Sequence, residues 1–147
     1  MGMYTEFIFG CALKKDTPKV CVDALDLLIN GDHPIEYDDK KYHRDMPIIR
    51  TTPEEEIKQF IEEYSLNRLI YSCSYYFGAP TNSEFFQDKI DKTYRISIRS
   101  NLKNYEREIE KFLKYIKPYI DYGSGIDNIY AYVLYEESSD PTIYKLR

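Results

Sequence analysis

The chain has 147 residues, with 16 tyrosines, 7 phenylalanines and no tryptophan, and 25 acidic against 20 basic residues leave a net charge of -5. A chain of this length buries about two-thirds of its unfolded surface, and 43% of it is hydrophobic, so one folded domain over residues 1–147 is expected rather than disorder. No apolar run approaches the ~20 residues of a membrane-spanning helix.

Residues 4–13 read as a first strand, and the run Phe7, Ile8, Phe9 predicts burial on both faces. Asp16 and Thr17 before Pro18 predict a capped helix start, and Asn30-Gly31 an end. Between them Val20, Cys21, Ala24, Leu25, Leu28 and Ile29 form a stripe at helical spacing. Residues 32–52 are irregular, interrupted by Pro34 and Pro47. Thr52 and Glu55 then have the spacing of a capping box. Ile57, Phe60, Ile61 and Tyr64 follow as a second helical stripe with an acidic outer face.

Residues 68–77 alternate, which predicts a strand with Leu69, Tyr71, Cys73, Tyr75 and Phe77 on one face. Residues 84–90 and 93–99 predict a hairpin around Asp91-Lys92, its second arm placing Tyr94, Ile96 and Ile98 inward and Arg95, Ser97 and Arg99 outward. Asn104, or alternatively Ser100, is the expected cap of a helix with the buried stripe Tyr105, Ile109, Phe112, Leu113 and Ile116. Residues 126–135 and 142–146 predict two last strands, with Pro141 at the entry of an edge strand. The order β-α-α-β-β-β-α-β-β predicts an α+β fold: a mostly antiparallel sheet of five or six strands with helices on one face.

Charge is uneven. Residues 32–63 hold ten acids and five bases, whereas residues 89–117 hold nine bases and four acids. Solvated faces account for both, and either could steer a partner. Cys11, Cys21 and Cys73 are an odd number without CxxC spacing, so neither a disulfide framework nor a zinc site is expected. With no signal peptide visible, these cysteines fit a reducing cytoplasm. His33 and His43 lie among carboxylates in the acidic segment, where they could act as a base or bind a metal, although their spacing matches no ligand motif. Phosphate-loop, dinucleotide, GxSxG and HExxH motifs are missing, so the sequence reads against an enzyme and implies no cofactor.

The strongest lead is the second face of the sheet. Alternation puts Tyr130 and Tyr132 there, with Arg95, Arg99 and Tyr76 from neighbouring strands. A face away from the helices should be polar, yet this one combines tyrosine with arginine, the composition of a contact surface. It could form a homodimer or bind another protein or a small ligand. It could instead be covered by residues 32–63 and be ordinary core. Nucleic acid stacked on the sheet is disfavoured, because the domain is acidic and lacks the aromatic signature of RNA-binding sheets. The alternative to a binding protein is a small enzyme or ligand-binding domain with a site between the sheet and segment 32–63.

Three stretches carry a resemblance: Ser72-Cys73-Ser74-Tyr75-Tyr76-Phe77; residues 98–105 running into the helix that closes at Lys117-Pro118; and Tyr135-Glu136-Glu137 with residues 140–144. Together they resemble small uncharacterised proteins of bacteria and of their phages or mobile elements, although segment 32–63 is longer and more helical here. The resemblance implies only a small cytoplasmic accessory protein; the missing chemical motifs, the acidic segment and the tyrosine-rich face suggest a binding protein that is host- or defence-modulating or an immunity-type inhibitor. No activity is assigned to these proteins, so no catalytic residue carries over.

Overall fold

The computed structural model describes residues 3–31, 45–72, 81–121 and 129–146. Strand β1 (Thr5–Leu13) leads to helix α1 (Lys19–Asn30), the two-residue strand β2 (Asp45–Met46), and helices α2 (Glu54–Glu63) and α3 (Leu66–Tyr71). The hairpin β3 (Asn82–Asp88) and β4 (Tyr94–Leu102) precedes helix α4 (Glu108–Ile116) and a 3-10 turn (Lys117–Tyr119). Strands β5 (Ile129–Tyr135) and β6 (Thr142–Lys145) end the order. The strands form one sheet in the order β2-β3-β4-β1-β5-β6, and every paired neighbour is antiparallel. The α+β class and the antiparallel sheet are as the sequence predicts.

Alternation places the buried Phe7, Phe9 and Leu13 of β1, Ile96 and Ile98 of β4, and Ala131 and Val133 of β5 on an inner face. The helices pack there: Cys21, Leu25, Ile57, Phe60, Leu69, Ile109, Phe112 and Ile116 belong to the same core, and the Phe112 ring meets Phe9 edge-on at 5.5 Å. Several of the tyrosines serve helix packing. Phe60, Tyr64, Tyr115 and Tyr119 form a chain of ring contacts between 4.7 and 5.9 Å that joins α2 to α4 and its 3-10 extension.

Four local expectations are corrected. Residues 68–71 belong to helix α3, not to a strand: Leu66, Leu69 and Ile70 are all buried at i, i+3 and i+4, a helical period that a short apolar run shares with an alternating one. The rest of that expected strand, from residue 73, lies outside the described residues. Strand β1 is not buried on both faces, since Ile8 is half-exposed and Gly10 exposed. Tyr105 is 62% exposed because α4 begins only at Glu108. Asn104 therefore caps from farther upstream, its Oδ1 accepting from the Ile109 N–H at 3.0 Å.

Neither expected cap at the first two helices forms. Pro18 precedes α1 with no side-chain cap, and the Thr17 hydroxyl donates to the Lys14 carbonyl. At α2 the role passes to another element. Buried Asp23 of α1 accepts the Thr51 and Thr52 N–H groups at 3.1 and 2.9 Å and the Thr52 hydroxyl at 2.6 Å.

The outer face of the sheet as candidate site

Pairing register fixes which side chains share the outer face. One row crosses five strands: Asn82, Arg99, Ile8, Tyr132 and Ile143 are successive partners. Phe86, Arg95 and Ala12 make a parallel row, with Ser97 and Gly10 between the two. Ile8, Tyr132 and Leu134 are only half-buried, and Ile143 is 41% exposed. Exposure falls at one end of the face, where Glu6 and Asn101 are buried.

Both arginines are held by carboxylates. The Arg99 Nη2 donates to Glu6 on the neighbouring strand at 2.9 Å, and the Arg95 Nη2 donates to Asp91 in the hairpin turn at 2.8 Å. Each pair neutralises a charge and restrains a long side chain, which lowers the entropy lost when a surface is covered. The Arg99 Nε is buried without a hydrogen-bond partner among the described residues. The face thus presents aliphatic and phenolic area beside two paired arginines and the exposed Glu84, which lies opposite Ser97.

Register brings together Arg95, Arg99 and Tyr132 as the sequence predicts, but not Tyr130. Two residues of β5 oppose one step of β6 at Ile129/Ala131, and a bulge of this kind re-aims a side chain. Tyr130 is 5% exposed and packs in the core, its ring centroid 6.5 Å from Phe9 and 6.1 Å from Tyr144. Tyr76 lies outside the described residues. Alternation in the sequence also puts Leu134 on this face, as the register does, but sequence reading missed Ile8 and Ile143. The signal was the small Gly10 and Ala12 alternating with Ile8 in β1, masked by the apolar run Phe7 to Phe9.

The described part of the acidic segment does not lie over this face. Met46 pairs with Gln87 at the sheet edge, Arg50 donates to the Gly31 carbonyl at the end of α1, and α2 contributes Ile57, Phe60 and Ile61 to the helix-side core. His33 and His43 lie outside the described residues, as does Cys73. Burial pushes the thiols of Cys11 and Cys21 up to about 12, so both are protonated and poor nucleophiles at neutral pH. Among the described residues no cluster of three His, Cys, Asp or Glu side chains could hold a metal ion, and no helix is long and apolar enough to cross a membrane.

No family model, no curated protein and no solved structure matches the chain.

Proposed function

We propose that this protein is a non-enzymatic binding or accessory protein that acts through the outer face of its sheet, with a protein as partner, either another chain or a second copy. One observation carries the reading. The transverse row Arg99, Ile8, Tyr132 and Ile143 leaves apolar and aromatic groups half-exposed on a face where water should favour polar side chains. The neutralised arginines supply directional donors beside it. The resemblance to small proteins of bacteria and mobile elements supports an accessory role in the cytoplasm, and the missing catalytic motifs and the contact-like face support one that modulates a host or defence component or acts as an immunity-type inhibitor.

The test is capture of partners from cell extract, with sedimentation of the purified chain run in parallel. Wild type should retain a protein partner or self-associate at micromolar concentration. The Tyr132→Ser/Ile143→Ser double variant should lose that association while losing only about 1–2 kcal/mol of stability, the cost of half-exposed groups. A monomer that captures nothing would sink the idea.

A further inference from the structure

A second feature lies on the opposite side of the sheet and is independent of the outer face. Where α4 begins, the helix layer stops short of the ends of β1 and β5 and leaves an open pocket of about 280 Å³. Its lining includes Thr5, Tyr135, Tyr105, Glu110, Asp140 and Arg107.

Each group has a physical reason to be there. Thr5 is on the inner face in register with Tyr135 and is only 4% exposed. It lines the pocket, so a hydroxyl is available at its inner wall to a group that enters. Glu110 is fixed in place, both of its oxygens accepting from the Asn104 Nδ2 at 2.8 and 3.2 Å. A carboxylate has about four acceptor sites, so it can still receive an ammonium. Asp140 adds a second carboxylate. Tyr105 and Tyr135 bring phenol rings that are 62% and 38% exposed, surfaces that attract a cation. At the rim Arg107 adopts the left-handed conformation, φ 59°. Its guanidinium is 79% exposed and stands 4.0 Å from Glu110, too far for a tight pair.

Two carboxylates, two phenols and the Thr5 hydroxyl in one lining favour an ammonium group, and the single arginine at the mouth favours a carboxylate. The volume is slightly below the ~300–1,000 Å³ of drug-sized pockets. We propose that the pocket binds a small zwitterion of the α-amino-acid type, its ammonium between Glu110, Asp140 and the Thr5 hydroxyl and its carboxylate on Arg107. Simple anions are disfavoured by the two acids.

Titration of the labelled chain followed by NMR tests this. The probes are L-leucine, L-phenylalanine, L-serine and L-lysine, with 4-methylpentanoate and isoamylamine as analogues of leucine lacking one charge each. At least one amino acid should give saturable shifts of the Thr5, Glu110 and Tyr135 amides. Each single-charge analogue should bind its zwitterion's site about tenfold more weakly, and Glu110→Gln and Arg107→Ala should each weaken the amino acid by a similar factor, about 1.4 kcal/mol. Both positions are partly or largely solvent-exposed, and an unchanged spectrum away from the pocket verifies the fold of each variant. The proposal is overturned if no amino acid saturates, if 4-methylpentanoate or isoamylamine binds as well as leucine, or if neither variant weakens binding. None of these results bears on the outer-face reading.

Discussion

At the scale of single residues, Tyr130 and Tyr132 separate what composition leaves together. They are two positions apart in a strand, yet the bulge sends Tyr130 into the core beside Phe9 while Tyr132 stays in the outer row. Tyr130→Ala should therefore cost about 3–5 kcal/mol, as large-to-small core changes do, and leave association untouched; denaturation with parallel sedimentation measures both. The two aspartates of α1 make an opposite pair. Burial raises the Asp23 carboxyl, but hydrogen bonds from Lys19, Thr52 and Thr51 outweigh it and hold the group below its ordinary value. For Asp26 burial wins over Asn30 and Arg50, and the group is raised. A depressed carboxyl contributes stability that is complete above the unfolded value of about 3.9 and is lost as pH falls through the folded one. A raised carboxyl has the opposite sign, and stability rises as pH falls through its folded value. The stability lost in Asp23→Asn should thus grow as pH rises through the acid range, whereas that lost in Asp26→Asn should shrink. Urea titrations of both variants across that range would reveal a common sign if this assignment were wrong. The cysteines allow a simpler check. With values of about 12, roughly one thiol in ten thousand is ionised at pH 8, so iodoacetamide should leave Cys11 and Cys21 unlabelled in native protein and label both in urea, by peptide mapping.

At the scale of elements, legibility followed the length of the periodic pattern. The stripe Ile109, Phe112, Leu113, Ile116 and the alternation from Tyr94 to Arg99 were readable because each repeats over several turns or residue pairs. Helix α3 was not, because six residues hold too few helical periods to outweigh the alternation of Leu69 and Tyr71 with the residues that follow them. The caps failed for a different reason. A threonine before a proline is a local signal, whereas the acceptor that holds Thr51 and Thr52 is Asp23, on another helix 28 residues away. Nothing in a local window encodes that contact. Tyr130 belongs to the same class, since the bulge that turns it depends on how β6 pairs and not on β5 itself. The end of α1, by contrast, was legible in one residue. Gly31 sits at φ 78° and ψ -169°, a region essentially reserved for glycine. A Cβ there meets nothing within 4 Å, so Gly31→Ala should cost about 1–3 kcal/mol from backbone strain alone, measured by denaturation.

At the scale of the molecule, the basic window of the sequence does not become a single patch. The basic window from 89 to 117 is divided between β4 in the sheet and α4 in the helix layer. Four of its nine cations are also engaged locally: Arg95 with Asp91, Arg99 with Glu6, Lys111 with the Glu63 carbonyl and the Tyr64 ring, and Lys103 over Tyr4. On the outer face both arginines are paired with carboxylates, and what remains beside them is apolar area. Association through that face should therefore respond to salt as hydrophobic burial does. Raising the ionic strength from about 0.05 to 0.5 M shortens the screening length severalfold and removes exposed ion-pair contributions, but it does not weaken the transfer of Ile8, Tyr132 and Ile143 out of water. Sedimentation or partner capture over that range should give a dissociation constant that changes by less than about threefold, the equivalent of roughly 0.7 kcal/mol. A loss of binding by orders of magnitude at high salt would mean that charged groups carry the contact. The transverse apolar row would then not be the surface through which this protein works.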